Sequence, residues 1–127
     1  MKKILVIDDN QDMHVLIENL LEENNYEFSF AFDGKEGYDK IMSINPDLII
    51  LDVQMPEMDG FELYKKLMEE KKVNGIPVIF LTGIGEMRGV HFQEKDVQSY
   101  YQSQTVFYME KPLHPVKFEK LIKEQLQ

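Results

Sequence analysis

Leu48-Ile49-Ile50-Leu51-Asp52-Val53-Gln54-Met55-Pro56-Glu57-Met58-Asp59-Gly60 is the stretch whose reading decides the fold. Leu48 to Leu51 run without a polar break, too short for a helix but suited to a strand buried on both faces. The run ends at a carboxylate, Asp52, and Pro56 cannot continue a central strand. Asp59-Gly60 then marks a turn before the next periodic segment. In open parallel sheets, ligands bind just outside such strand ends. Taken alone, Asp52 serves as well for a helix or turn cap as for a reactive group, so its neighbours must decide.

Working outward, the same grammar repeats. Ile4-Leu5-Val6-Ile7 runs into Asp8-Asp9, Val78 to Leu81 into Thr82, and Val106 to Met109 toward Lys111-Pro112. Met13, Leu16, Ile17, Leu20 and Leu21 recur at helical spacing, with Asp9 or Asn10 as cap and Asn24-Asn25 as stop. A second helix turns Tyr38, Ile41 and Met42 inward and stops at Asn45-Pro46, because the residue before proline leaves the α region. A third carries Phe61, Tyr64, Leu67 and Met68 and is predicted to close at Asn74-Gly75. The last, with Pro115 in its first turn, buries Phe118, Leu121, Ile122 and Leu126. Phe28 to Phe32 alternates large and small, which suits an edge strand. Between Gly83 and Gln104, Gly83, Gly85 and Gly89 interrupt any long helix, so the spacing predicts a helix at roughly 93–102.

Five strands alternating with five helices read as an α/β fold, a doubly wound parallel sheet with helices on both faces. Right-handed crossovers and an edge strand in second position favour the order 2-1-3-4-5. The first and third strands are then neighbours at the switch point, and Asp8, Asp9, Asp52, Thr82 and Lys111 lie at one end of the sheet.

The bounds agree with a single domain over 1–127: 127 residues, 43% apolar and 29% charged. A formal charge of −9 argues against nonspecific binding to nucleic acid or an anionic membrane. No cysteine is present, which excludes a disulfide frame, a thiolate nucleophile and a cysteine metal site. The apolar run after Lys2-Lys3 ends at Asp8-Asp9 and is not a signal peptide, and no stretch is long enough to span a bilayer, so a cytoplasmic protein is expected.

Three carboxylates crowded together repel and raise one another's pKa, a conflict that a hard divalent cation such as Mg²⁺ removes through oxygen ligands. A lysine and a hydroxyl nearby add donors for an anion. Together they describe a phosphoryl-transfer site with an aspartate nucleophile. Individually, Asp8-Asp9 reads as a helix cap, Thr82 as a turn residue and Lys111 as a solvated charge; their convergence at strand ends is what coincidence explains poorly. His14, His91 and His114 lack metal spacing and are predicted at the surface, while Phe107 and Tyr108 read as sheet-face residues. Asp8-x-Asn10-x-Asp12 imitates the start of an EF-hand loop, but Met13 and Asn19 stand where glycine and glutamate are needed. Gly83-x-Gly85 hints at a dinucleotide loop, whose third glycine would fall on Arg88.

With Val6-Ile7-Asp8-Asp9, Asp33-Gly34, the decapeptide Leu51 to Gly60, Pro77 to Thr82 and Lys111-Pro112 in place, the chain resembles the receiver domain of bacterial two-component response regulators over nearly its whole length. The resemblance implies a flavodoxin-like, CheY-like sheet and a set of roles. Asp52 would accept a phosphoryl group from a histidine kinase or a histidine phosphotransfer protein. Asp9, Asp52 and the Gln54 backbone carbonyl would bind Mg²⁺, with Asp8 helping through water. Thr82 and Lys111 would hold the phosphoryl oxygens, Tyr108 would be the aromatic switch, and the Lys111-Pro112 bond would be cis. Output would pass through the face made by the fourth helix, fifth strand and fifth helix to a downstream protein. The chain departs from the family pattern at Ser103-Gln104-Thr105, where a small-residue pair is usual, at Leu113, where phenylalanine is common, and in a longer connection from Thr82 to Lys111.

Two other classes compete. A pseudo-receiver would keep the fold as a binding module without using phosphate; the complete set Asp8, Asp9, Asp52, Thr82 and Lys111 argues against it. A haloacid-dehalogenase-type phosphatase needs Asp-x-Asp after its first strand, where Asp8-x-Asn10 and Asp9-x-Gln11 stand. The chain reads as a phosphoacceptor signalling domain rather than a turnover enzyme, either a stand-alone regulator or part of a longer protein.

Overall fold

The computed structural model describes residues 1–73, 75–83 and 105–127. The elements are β1 (Lys3–Ile7), α1 (Gln11–Leu21), a 3₁₀ turn (Glu22–Asn24), β2 (Glu27–Ala31), α2 (Gly34–Ile44), β3 (Leu48–Asp52), α3 (Gly60–Glu69), β4 (Val78–Thr82), β5 (Val106–Glu110) and α4 (Pro115–Leu126). All strand pairs are parallel, and the sheet order is β2-β1-β3-β4-β5, as the sequence predicts. The helix expected at 93–102, together with Asn74 and His91, lies outside the described residues.

The apolar runs work because each strand feeds two cores. Along β1, β3 and β4, alternate residues point to opposite faces. Leu5, Ile7, Ile49, Leu51, Val78 and Phe80 pack with Ile41, Leu63, Tyr64 and Leu67 on the side of α2 and α3. Ile4, Val6, Leu48, Ile50, Ile79 and Leu81 pack with Ile17, Leu21, Phe118, Ile122 and Leu126 on the side of α1 and α4. Full burial of one such side chain contributes about 1.5–3 kcal/mol. The two faces therefore fix the register, since a slip of one residue would exchange the cores.

Two helical faces differ from the sequence reading. On α1 the buried stripe is His14, Ile17 and Leu21, whereas Leu16 is 40% exposed. Residues 14, 17 and 21 share a helical face, and Leu16 points well away from it, toward the opposite side of the helix. His14 is thus a core residue and not the surface residue the sequence suggests. On α2, Ile41 is buried, Tyr38 is half-buried and Met42 lies out toward solvent.

The third helix stops at Glu69, ahead of the expected Asn74-Gly75. Lys71 adopts φ 57°, its N–H donates to the Met68 carbonyl at 3.1 Å, and the Lys72 N–H donates to the Leu67 carbonyl at 2.8 Å. This pair of bonds is the Schellman closure, with a lysine in the left-handed position that glycine ordinarily takes. At the other end of α3, the Asp59 carboxylate accepts the Glu62 N–H at 2.8 Å and caps the helix. Gly60 follows because a Cβ there would collide with the Asp52 carbonyl oxygen. The Gly60 N–H donates to the Val53 carbonyl at 2.8 Å, which closes the β3–α3 loop tightly beside Asp52.

Candidate functional site

Parallel pairing brings the carboxyl ends of β1, β3, β4 and β5 to one edge of the sheet. Asp8 directly follows β1, Asp52 ends β3, Thr82 ends β4, and Lys111 directly follows β5. Asp8, Asp52 and Thr82 are buried, Lys111 is half-buried, and Asp9 is exposed on the β1–α1 loop. Every residue that the sequence assigned to the site's charged cluster therefore converges here. Gln54 lies in the β3–α3 loop with its side chain exposed.

The contacts are specific. The Lys111 ammonium donates to Asp52 Oδ1 at 2.9 Å and stands 3.5 Å from Asp8 Oδ2. The Lys111 N–H donates to the Thr82 carbonyl at 2.6 Å, which ties the end of β5 to the end of β4, and the Lys111-Pro112 bond is cis. Asp8 is held on several sides. Its N–H donates to the Ala31 carbonyl at 3.0 Å, its Oδ1 accepts the Asn10 N–H at 2.9 Å, and its backbone carbonyl meets His14 Nε2 at 2.7 Å.

Burial pushes the Asp52 carboxyl up to about 6, and the charges of Asp8 and Asp9 add to this against the pull of Lys111. Burial likewise raises Asp8, opposed by the Asn10 N–H and by Lys111. Burial works to lower Lys111, but its hydrogen bond to Asp52 and the charge of Asp8 outweigh it and hold the ammonium above its ordinary range. The cluster thus has more carboxylate than cation, with one lysine shared between two buried acids.

Asp8, Asp9 and Asp52 each offer an oxygen, and these atoms lie within 4.8 Å of one another. Asp8 Oδ2 is buried and, among the described residues, faces only the shared Lys111 ammonium at 3.5 Å, without a well-formed hydrogen bond. An oxygen-only donor set with excess negative charge and a buried oxygen so weakly satisfied fits a hard divalent cation. Softer ions such as Cu⁺ or Zn²⁺ favour imidazole or thiolate ligands, which the set lacks.

Tyr108 lies on β5 opposite Phe80, its ring stacked on Phe80 with centroids 5.3 Å apart and 6.3 Å from Phe61. It is half-buried against the α2–α3 core, on the strand that leads to Lys111. Sequence reasoning missed His14. The signal available was its place on the 14-17-21 stripe, set against Phe30 and Phe32 across the alternating β2 segment.

A doubly wound sheet with an acidic cluster and a lysine at its switch point defines a class that comparison with known proteins resolves. Residues 4–123 match the response regulator receiver domain, and the chain belongs to that family, the receiving modules of two-component signal transduction. It is 31% identical over 125 residues to the polar-differentiation response regulator DivK of Brucella ovis, covering 98% of this chain and 96% of that protein. It is 40% identical over 85 residues to the alkaline phosphatase synthesis transcriptional regulatory protein PhoP of Bacillus subtilis, covering 67% of this chain and 35% of that protein. The chain thus spans about a third of the length of that longer relative. Among solved structures, the Vibrio cholerae chemotaxis protein CheY4 superposes with a TM-score of 0.78 at 27% identity, covering 99% of both chains. Receiver domains serve signalling rather than substrate turnover, and they interact with histidine kinases and downstream effectors.

Proposed function

We propose that Asp52 is the phosphoacceptor of this receiver. The observation that carries the proposal is the Asp52 carboxylate, buried at the end of β3, hydrogen-bonded to Lys111 at 2.9 Å and grouped with Asp8 and Asp9. The donor is the phosphohistidine of a histidine kinase or a histidine phosphotransfer protein. An Asp52 carboxylate oxygen attacks phosphorus, the phosphorus–nitrogen bond breaks, the imidazole departs with the electron pair, and an acyl phosphate remains on Asp52. Asp9, Asp52 and the Gln54 backbone carbonyl would hold Mg²⁺, with Asp8 helping through water. Bound there, the ion offsets charge on the transferring phosphoryl group. Lys111 leaves its contact with Asp52 Oδ1 for a phosphoryl oxygen, and the Thr82 hydroxyl holds another.

Tyr108 is the switch residue in this reading, because it shares β5 with Lys111. Its readout face includes β5 and α4; the further helix that the sequence assigns to this face lies outside the described residues. A downstream protein reads that face, and the domain acts over residues 1–127 in the cytoplasm. Among the described residues, no helix is long and apolar enough to cross a membrane. The test is intact-mass spectrometry after incubation with acetyl phosphate and Mg²⁺. The expected result is a gain of one phosphoryl group, lost in Asp52→Asn and labile in the manner of an acyl phosphate. Undiminished, acid-stable labelling of the Asn variant would refute Asp52 as acceptor.

A further inference from the structure

We infer that His14 is a positioning residue for the acidic cluster, acting through the Asp8 backbone carbonyl. The inference rests on the reading of Asp8, Asp9 and Asp52 as a divalent-cation site. His14 is 3% exposed, in the second turn of α1, and its Nε2 lies 2.7 Å from the Asp8 carbonyl oxygen. A carbonyl can only accept, so Nε2 carries the proton and donates it. The ring is fixed on its other sides by Phe30, edge-on with centroids 4.9 Å apart, and by Phe32 at 4.6 Å. Nδ1 is buried with no hydrogen-bond partner among the described residues, so the single polar contact of this ring there is the one to Asp8.

That contact sits where it matters for the cation. The Asp8 carbonyl belongs to the peptide that joins Asp8 to Asp9, and the plane of this peptide sets the direction in which Asp9 leaves β1. Asp9 is exposed, yet its carboxylate must lean within 4.8 Å of Asp8 and Asp52. The Ala31 carbonyl fixes the Asp8 N–H on the strand side, and His14 fixes the carbonyl on the loop side. Farther along the loop, Asn10 is tied to α1 by the Asp12 and Met13 N–H groups, while its own N–H donates to Asp8 Oδ1, the very carboxylate that a cation attracts. His14 holds the peptide between Asp8 and Asp9 itself, and does so without using a candidate ligand atom. A donor that orients ligands from behind typically changes metal affinity by about 10- to 100-fold when removed.

The bland alternative is a core histidine that satisfies its own N–H. The two readings separate in the full chain by calorimetric Mg²⁺ titration, set beside melting curves without metal. His14→Phe keeps a ring between Phe30 and Phe32 and deletes the donor, whereas His14→Gln restores an N–H near the position of Nε2. The expected result is Mg²⁺ affinity about 10-fold weaker in His14→Phe and within about 2-fold of the native protein in His14→Gln. Should His14→Phe fail to fold, His14→Met supplies a donor-free side chain for the same comparison. Unchanged affinity in a folded donor-free variant, whatever its melting temperature, overturns the inference and leaves His14 a packing residue. Equal weakening in His14→Gln also overturns it, because the ring and not the hydrogen bond would then be responsible. Absence of saturable Mg²⁺ binding in the native protein overturns the cation-site reading itself, an outcome distinct from both.

Discussion

Replacing Asp52 with Asn should make the metal-free protein more stable at neutral pH, and the size of the gain follows from the site. Burial, aided by Asp8 and Asp9, moves the Asp52 carboxyl from 3.8 to about 6 in the folded chain. Each tenfold change in proton affinity corresponds to about 1.4 kcal/mol, so ionised Asp52 destabilises the folded state by at most ~3 kcal/mol well above pH 6. The sign follows from proton binding. The folded protein holds this proton more tightly than the unfolded chain, so the group's stabilising contribution is complete below about pH 4 and lost as pH rises through about 6. Asparagine approximates the protonated carboxyl and keeps an oxygen for Lys111. The expected gain is about 1–3 kcal/mol at pH 7.5, allowing for relaxation around Lys111, and it should shrink toward zero near pH 4. Urea unfolding followed by circular dichroism, with chelator present and at several pH values, measures the difference directly. The difference reports Asp52 together with its coupling to Asp8 and Lys111, since the charge of Asp8 helps to raise Asp52 and Lys111 opposes it. An Asn variant no more stable than the native protein at pH 7.5, or equally favoured at pH 4 and pH 7.5, would refute the electrostatic reasoning.

Two other outcomes are expected. Mg²⁺ should raise the melting temperature of the native protein by binding the folded state, and Asp9→Ala should remove most of that response in a thermal-shift titration, since Asp9 is the exposed member of the cluster. Lys71→Gly should stabilise the end of α3, because Lys71 holds φ 57°. Relief of the left-handed cost, about 1–2 kcal/mol, exceeds the backbone entropy that glycine adds, about 0.5–1 kcal/mol, so urea unfolding should show a net gain of about 0.5–1 kcal/mol.

The fold was legible because a parallel sheet covered on both faces turns its strands into unbroken apolar runs, as in Leu48 to Leu51 and Val78 to Leu81. The same topology made the convergence of the candidate site legible, since the apolar runs end at Asp8, Asp52 and Thr82, and parallel strands align their ends. What escaped was governed by geometry that composition does not encode. Asn74-Gly75 carries the ordinary stop signal, but α3 had already closed on Lys71, a residue with no preference for the left-handed region. On α1, apolar residues at 13, 16, 17, 20 and 21 allow more than one inward face. The tie is broken by His14, a polar residue whose burial depends on meeting the Asp8 carbonyl and two rings of or beside β2. Periodicity alone cannot report such a contact.

The electrostatics and the backbone meet at Lys111. Its ammonium is the one cation facing Asp52 among the described ion pairs, and its N–H is bonded to Thr82 at the end of β4. If Asp52 is phosphorylated as proposed, new negative charge arises on atoms farther from the sheet than Asp52 Oδ1. The ammonium must follow that charge, while its backbone stays tied to β4. The resulting strain falls on β5, where Tyr108 stacks on Phe80. A phosphoryl group can shift this strand only insofar as Lys111 and Thr82 bind it more tightly in one arrangement than in the other. The coupling therefore resides in the difference between two lysine positions. It should weaken with any substitution that lets Lys111 reach both positions without moving β5.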